Sequence, residues 1–306
     1  MRFKKTYLKV SLLTLVLLLA FIHYPSIDSQ KQPNQRLIEN PSRLKLGSLD
    51  SAYLAADFEP SDEISTNFLN DPIINHIDYS FIHTSEKACT NKSVDLLVAI
   101  QSSLINFDRR RLARQGRRNN EHSTRIVYLF FTGKAANNMD ALKDRIDYEA
   151  KVHGDIVQAD IVDSARNMSL LSALILKWIV SYCPNVSFVV KKIDDGWMNY
   201  VQILQALRQK EADYKYFMMG NSATVLQSPL RYIIYNYYKN ISQYRDSPFI
   251  VFIKEPVYGF PRRTAMLLYQ TTLRTYFFWR EEVFITGICA NRARVPVFFD
   301  HNFIYK

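Results

Sequence analysis

The feature that most constrains this chain is an alternation of short apolar runs with longer helical patterns, which starts after Cys89. Short, nearly continuous apolar runs are typical of strands buried on both faces of a sheet. The segment 168–183 is apolar nearly all round and predicts a buried helix, and 197–212 is amphipathic at helical spacing. The four main strand candidates are 95–100, 125–133, 155–161 and 187–193. The alternation predicts right-handed βαβ units and an α/β fold, with a mainly parallel sheet covered by helices on both faces.

Two adjacent carboxylates, Asp194 and Asp195, directly follow the strand predicted at 187–193. In open sheets of this kind, ligands bind beyond the carboxyl ends of the strands, where the strand order switches. Neighbouring carboxylates repel unless a cation compensates them, and hard divalent ions such as Mn²⁺ or Mg²⁺ prefer oxygen ligands and can bridge to a diphosphate. The pair therefore predicts a metal and diphosphate site. Without further context, an ordinary Asp-Asp-Gly turn is the alternative.

The amino terminus predicts a membrane anchor. Residues 1–9 carry four basic side chains, and 10–22 contain no charged residue. This apolar run has the length of a signal-peptide core, so a cleaved signal is the alternative, but the bulky residues that follow it do not suit a signal peptidase. By the positive-inside rule, we expect a cytoplasmic tail at 1–9, a signal-anchor transmembrane helix at 10–24 and a luminal remainder.

The rest of the chain divides into a polar stretch at 25–88, which predicts a stem, and a luminal domain at 89–306. Four Asn-x-Ser sequons agree with a luminal glycoprotein. The net charge of +10 suits a nucleic acid, a membrane surface or an anionic substrate, and a luminal address excludes nucleic acid. In this oxidising compartment, one pair of the three cysteines could form a disulfide, although the residues alone leave the pairing open.

Five stretches, in order along the chain, resemble the glycosyltransferase family 31 domain, the family of β1,3-galactosyltransferases and β1,3-N-acetylglucosaminyltransferases. They include an opening strand, an arginine-bearing segment, a second strand, a long run through Asp195 and a Glu-Glu-Val segment. Their positions are 96–103, 106–114, 128–133, 154–195 and 281–287. The resemblance covers about Cys89 to Cys289, and five ordered motifs are more specific than any one of them.

This resemblance implies a GT-A type, Rossmann-like fold that follows the transmembrane helix. It also implies a UDP-sugar donor, Mn²⁺ or another divalent cation, and a glycan acceptor on a glycoprotein or glycolipid. The implied reaction is an inverting transfer of galactose or N-acetylhexosamine to an acceptor hydroxyl, in β1,3 linkage, during protein glycosylation. The implied location is the Golgi membrane, with type II topology.

The resemblance also implies roles for individual residues. The proton acceptor of the family's Glu-Asp-Val segment corresponds to Glu282, for which a solvated acidic pair with Glu281 is the alternative. The resemblance implies a disulfide between Cys89 and Cys183 and leaves Cys289 free. The predicted donor-binding residues are Arg109, Arg110, Arg114, Asp194 and Asp195, and the last two are also the predicted metal ligands. A guanidinium in this segment could pair with a diphosphate or with a structural carboxylate.

Gly196 departs from the family pattern, because the family carries a third acidic residue there, generally the direct metal ligand. This departure supports a second hypothesis, that the chain is a catalytically inactive member of the fold and acts as a luminal binding or chaperone-like partner. A third hypothesis is a basic receptor or adhesion module with no convergent acidic pocket. Catalysis requires Asp194, Asp195 and Glu282 to converge on one cleft, with an arginine from 109–114 nearby.

Overall fold

The computed structural model describes residues 65–90, 92–116, 125–137, 139–225, 251–254 and 257–304. The predicted tail, the predicted anchor helix and the predicted stem up to residue 64 lie outside these ranges. Within them, no helix combines the length and the apolarity needed to cross a bilayer.

The described residues form ten strands and several helices. The strands are β1 (Phe81–His83), β2 (Val94–Gln101), β3 (Ile126–Lys134), β4 (Ile156–Val162), β5 (Val186–Ile193), β6 (Met218–Gly220), β7 (Ala223–Val225), β8 (Val251–Ile253), β9 (Tyr258–Pro261) and β10 (Val297–Phe299). The helices are α1 (Phe107–Gly116), α2 (Asp140–His153), α3 (Met168–Tyr182), α4 (Tyr200–Glu211), α5 (Arg262–Leu273) and the short α6 (Ala290–Arg292), which continues a π-helical segment (Val283–Cys289). Short 3₁₀ turns lie at Asn67–Asn70, Glu86–Ala88 and Ala165–Asn167.

The main sheet has eight strands in the order β1-β4-β3-β2-β5-β9-β6-β10, and β7 pairs with β8 in a separate ribbon. The strands β4, β3, β2 and β5 are parallel, whereas β1 and β9 run antiparallel to their neighbours. The chain moves outward from β2 to β3 and β4, then returns to β5 on the other side of β2. The strand order therefore switches between β2 and β5, and the predicted α/β class with a mainly parallel sheet is confirmed.

Both faces of the sheet are buried, which explains the continuous apolar runs. Along β2, Leu97 and Ala99 enter one core cluster, and Leu96, Val98 and Ile100 enter the other. The helices α1, α2 and α4 pack on the second face, and α3, α5 and the π-helical segment pack on the first. Because right-handed crossovers change faces when the chain reverses direction across a sheet, α3 lies opposite α1 and α2.

The predicted buried helix at 168–183 is observed as α3, whose Trp178 is fully buried. By contrast, the helix predicted at 197–212 begins only at Tyr200. The physical reason is a helix cap, because the side chain of Asn199 accepts a hydrogen bond from the backbone N–H of Gln202 at 3.2 Å.

The folded unit also begins before the boundary predicted at residue 89. Strand β1 pairs with β4, and Phe68 and Ile77 are buried in the core. The Lys177 ammonium on α3 donates hydrogen bonds to the carbonyls of Ile77 and Tyr79, at 2.8 and 3.0 Å. This packing could not be predicted, because isolated apolar residues in a polar stretch carry no periodicity.

The disulfide implied by the resemblance is present between Cys89 and Cys183, whose Cα atoms are 5.0 Å apart. It joins the segment before β2 to the residue that follows α3. Cys289 is free and buried in the π-helical segment, as expected.

Candidate active site

The first carboxylate of the pair, Asp194, lies directly after β5 at the point where the strand order switches. Its side chain is only 6% exposed. The Oδ2 atom accepts hydrogen bonds from Ser102 Oγ at 2.7 Å and Asn106 Nδ2 at 2.8 Å. The Oδ1 atom lies 3.5 Å from a guanidinium nitrogen of Arg109. Asp194 is therefore fixed by the loop that follows β2, with one oxygen less engaged than the other.

The second carboxylate, Asp195, is 67% exposed and extends into solvent. It accepts a hydrogen bond from the N–H of Gly196, whose φ of 64° lies in the left-handed region that favours glycine. The Lys192 ammonium donates to the carbonyls of Asp195 and Gly196, at 2.7 and 2.8 Å. Burial lowers the pKa of Lys192 to about 8, although the charges of Asp195 and Asp194 oppose that shift. The buried Lys192 ammonium thus stabilises the backbone of the acidic turn.

The three arginines predicted to bind the donor occupy different environments. Arg109 is half exposed and lies within 3.8 Å of both carboxylates of the pair. Arg110 is fully buried, and the side chain of Arg114 is 14% exposed. Their partners are the structural carboxylates Glu149, which contacts both guanidinium groups, and Asp155, which pairs with Arg114. Of the three arginines, only Arg109 is therefore placed to meet a ligand at the acidic pair.

Burial raises the pKa of Glu149, but the hydrogen bonds and charges of Arg110 and Arg114 outweigh this effect and hold the pKa below its ordinary value. Arg110 also donates to the hydroxyl of Ser102 and to the carbonyls of Ser103 and Leu104. The buried cluster of Arg110, Arg114 and Glu149 therefore holds the loop after β2, and this loop in turn holds Asp194.

Two pockets adjoin Asp194, one on each face of the sheet edge. The strand-end pocket, about 360 Å³, is bounded by the carboxyl ends of β2, β3, β4 and β5 and by the start of α3. Its lining includes Ser103, Asp163 and Asn167. A Cβ at Gly133 would lie 2.6 Å from the carbonyl oxygen of Ile161, so only glycine fits this wall. The α1 pocket, about 250 Å³, lies between α1 and α4 and is lined by aromatic rings and by Arg109.

The two glutamates of the predicted catalytic segment differ strongly in environment. Glu281 is 2% exposed, its Oε2 lies 2.7 Å from the Lys191 ammonium, and its Oε1 accepts the Tyr258 hydroxyl at 2.5 Å. Burial, together with the charge of Glu281, raises the pKa of Tyr258 well above its usual value, so the phenol remains a hydrogen-bond donor. The two glutamates are therefore not a solvated acidic pair, because Glu281 lies in the core.

Glu282 is 18% exposed, and its Oε1 accepts a hydrogen bond from Arg280 Nε at 2.7 Å. The Lys191–Glu281 ion pair places this segment against the carboxyl-terminal half of β5, on the same face of the sheet as the strand-end pocket. Asp194, Asp195 and Arg109 thus lie together. Glu282 is linked to them through its neighbour Glu281, which pairs with Lys191, three residues before Asp194.

The donor set can be tested against a divalent ion. The described residues contain no group of three or more His, Cys, Asp or Glu side chains that could hold a metal. They do offer the exposed carboxylate of Asp195 and the Oδ1 atom of Asp194. Magnesium-type ions are often held by one or two carboxylates together with substrate phosphates and water. The residues therefore fit an ion that arrives with a diphosphate, and they do not form a closed protein cage.

The model of one protein family, described as galactosyltransferase, matches residues 108–300, which is more than half of the chain. The chain belongs to the galactosyltransferase family. The match in this galactosyltransferase-family chain runs from α1 to the residue after β10, and so includes both carboxylates of the pair and the Glu281–Glu282 segment. The predicted family is confirmed.

Several characterised proteins are similar to this galactosyltransferase-family chain. Mouse beta-1,3-galactosyltransferase 1 is 25% identical over 234 residues, covering 75% of this chain and 70% of that protein, and the human protein gives the same values. Mouse N-acetyllactosaminide beta-1,3-N-acetylglucosaminyltransferase 2 is 28% identical over 264 residues, covering 83% of this chain and 64% of that protein. The chain is thus a glycosyltransferase that uses a nucleotide-sugar donor and a glycan acceptor.

Sequence reasoning did not single out Ser102, Asn106 or Lys192, which position the acidic turn. A signal for the first two was available, because both are polar residues in the loop that follows a buried strand, where ligand-site residues collect. Lys192 gave a weaker signal, since a lysine near the end of an apolar run usually reaches solvent.

Proposed function

We propose that this glycosyltransferase moves galactose or N-acetylhexosamine from UDP to a hydroxyl of a glycan on a glycoprotein or glycolipid, with inversion and in β1,3 linkage. The observation that carries the proposal is the convergence of Asp194, Asp195 and Arg109 beside a pocket at the carboxyl ends of four parallel strands. The donor and linkage are supported by the names of the relatives, which are beta-1,3 transferases of galactose and N-acetylglucosamine.

The UDP moiety is assigned to the strand-end pocket, because this pocket meets the carboxyl ends of β2 to β5 and the amino-terminal end of α3. Within it, the second carboxylate oxygen of Asp163 is available to ribose hydroxyls, since Oδ2 already accepts from Ser103 Oγ and the Leu104 N–H. The diphosphate then extends toward Arg109, whose guanidinium can donate to phosphate oxygens.

A divalent cation such as Mn²⁺ would be held by Asp195 and by Oδ1 of Asp194, and when bound it would neutralise charge on the departing UDP. The Lys192 ammonium donates to backbone carbonyls of the turn that presents these two groups. Ser102 and Asn106 donate to the carboxylate of Asp194. These contacts fix the orientation of Asp194 and the backbone of the turn, and groups held in a productive geometry lower the entropic cost of the reaction.

Glu282 is the proposed proton acceptor. Its Oε1 is engaged by Arg280, which leaves Oε2 to take the proton of the acceptor hydroxyl. In a single displacement, the acceptor oxygen forms a bond to the anomeric carbon as the bond from that carbon to the UDP oxygen breaks. UDP leaves with the bonding electron pair, and the configuration at the anomeric carbon inverts.

The proposal is tested with the full chain by measuring acceptor-dependent UDP release from a panel of UDP-sugars, with Mn²⁺ or with EDTA. Calorimetry of UDP binding runs in parallel. We expect Glu282→Gln to lower kcat by about 10²–10⁴-fold while UDP binding is unchanged. Asp195→Asn should weaken Mn²⁺-dependent UDP binding. Full activity of Glu282→Gln, or no UDP binding by the wild-type chain, would refute the proposal.

We also infer that the protein is anchored in the Golgi membrane by 10–24, with type II topology and a luminal catalytic domain. This inference is supported by the basic residues at 1–9 and the uncharged run that follows them. Protease protection in intact Golgi vesicles should leave the carboxyl-terminal domain undigested until detergent is added. Digestion without detergent would place the domain on the cytosolic side.

A further inference from the structure

Arg109 contacts both carboxylates of the acidic pair, but at distances longer than those of close hydrogen bonds. One guanidinium nitrogen lies 3.5 Å from Oδ1 of Asp194 and 3.8 Å from Oδ2 of Asp195. Half of the Arg109 side chain is exposed, and within the described ranges these two contacts are its only ion pairs. The guanidinium is therefore held by charge attraction, and a rotation of its exposed side chain is enough to change its partner.

Two other cations of this region are fixed by several partners. The Lys192 ammonium donates to two carbonyls of the acidic turn, at 2.7 and 2.8 Å. Arg110 pairs with Glu149 at 2.8 Å and donates to the carbonyl of Ser103 at 2.7 Å. Moving either cation would break buried hydrogen bonds, which is costly. Of these three cations, Arg109 is the one that can exchange the carboxylates for a ligand.

A divalent ion and Arg109 compete for the same carboxylate oxygen. Oδ2 of Asp194 already accepts from Ser102 and Asn106, so Oδ1 is the atom left for an ion. Oδ1 is also the atom of that carboxylate nearest to the guanidinium. A magnesium-sized ion lies about 2.1 Å from its carboxylate oxygen, which would place it within about 6 Å of the guanidinium nitrogen. Because like charges at this separation repel and are little screened, Arg109 opposes an ion that binds to the pair alone.

A diphosphate would remove this opposition, because it offers Arg109 another set of oxygens. Guanidinium groups form charge-assisted and often bidentate hydrogen bonds with phosphate, which are stronger than the long contacts to the pair. When the guanidinium turns to phosphate, the carboxylates of Asp194 and Asp195 are left to the ion. The charge of the diphosphate then also attracts the ion.

We propose that Arg109 couples the two ligands of this site, opposing the divalent ion until a diphosphate binds and then binding the phosphates. This inference rests on the proposed donor and metal site, and it adds an order of binding to that site. Because coupling between two ligands is reciprocal, each ligand raises the affinity for the other by the same factor. The ion therefore enters with the nucleoside diphosphate or after it.

The test measures Mn²⁺ and UDP binding to the full chain, with no need for turnover. It compares the wild type with Arg109→Gln, Arg109→Lys and the matched control Arg111→Gln. Arg111 lies on the same helix, is 62% exposed and pairs with Asp108 at 3.1 Å. Electron paramagnetic resonance of free Mn²⁺ gives the Kd for Mn²⁺ with and without UDP, and calorimetry in EDTA gives the Kd for UDP alone.

Arg109→Gln should have opposite effects on the two ligands. Without UDP, Mn²⁺ should bind about fivefold more tightly, because a half-exposed positive charge no longer opposes it. In EDTA, UDP should bind about tenfold more weakly, because a charged donor to phosphate is lost. Arg109→Lys keeps the charge but not the planar fork, so Mn²⁺ affinity should match the wild type while UDP binding weakens. Arg111→Gln should leave both Kd values unchanged.

Unchanged or weaker Mn²⁺ binding by Arg109→Gln in the absence of UDP would overturn the coupling. Equal tightening in Arg111→Gln would also overturn it, since the effect would then reflect net charge alone. A complete lack of Mn²⁺ binding in all variants, with and without UDP, is a third contrary result. No UDP binding by the wild type would refute the proposed function together with the phosphate role of Arg109. Intact UDP binding with no change of Mn²⁺ affinity in Arg109→Gln would refute the coupling and keep the proposed donor site.

Discussion

The buried cluster of Arg110, Arg114 and Glu149 offers a sharp test of how the site is held. Glu149→Gln removes one negative charge from a side chain that is 8% exposed and contacts two guanidinium groups. Arg114 keeps Asp155 as a partner, whereas Arg110 keeps only neutral acceptors among its described contacts. Breaking a buried ion pair by removing one partner costs about 3–5 kcal/mol, because the remaining charge is uncompensated.

For a folded unit of this size, a loss of about 3–5 kcal/mol lowers the melting temperature by about 6–20 °C. The pH dependence gives a second signature. The folded pKa of Glu149 lies below the ordinary value of 4.5. Its ionised form therefore adds stability that is complete well above pH 4.5 and is lost as the pH falls through the lowered folded pKa. The stability difference between wild type and Glu149→Gln should narrow below about pH 4.5.

The assay is urea unfolding followed by circular dichroism at several pH values, with Glu211→Gln as the matched control. Glu211 pairs with Arg263, but both side chains are at least 30% exposed. Removing that charge should cost under about 1 kcal/mol. UDP binding should also weaken in Glu149→Gln, because Arg110 positions the loop that holds Asp194. A variant within 1 kcal/mol of wild type at pH 7, or a difference that stays constant with pH, would refute this reasoning.

Two further predictions concern the acidic turn and the buried segment behind it. Gly196→Asp adds a carboxylate at a φ of 64°, which aspartate tolerates better than most residues. It should tighten Mn²⁺ binding in the presence of UDP about tenfold by calorimetry, and unchanged affinity would show that the new group does not reach the ion. Lys191→Met should destabilise the fold by about 3–5 kcal/mol because Glu281 stays buried and unpaired. Adding Glu281→Met should restore part of that stability, and a further loss would contradict this reasoning.

The strands β2 to β5 and the helix α3 could be predicted because both faces of the sheet are buried there, so local composition carries the signal. The short strands could not be predicted from the sequence. Strand β9 has four residues and inserts antiparallel between β5 and β6, and β1 has three residues in a polar stretch. Strands of this length carry too few residues to establish a period, and long-range pairing with the rest of the sheet decides where they lie.

For the site, the sequence by itself determined that two carboxylates end a buried strand, because their position follows directly from the apolar run before them. It also determined the family, through five motifs in order. Only the tertiary structure decided which arginine faces the two carboxylates. The partners of Arg110 and Arg114 are 39 and 41 residues away in sequence, on α2 and just before β4. Whether a guanidinium meets a ligand or an internal carboxylate depends on how α1 packs against those elements, and spacing along one helix does not encode that contact.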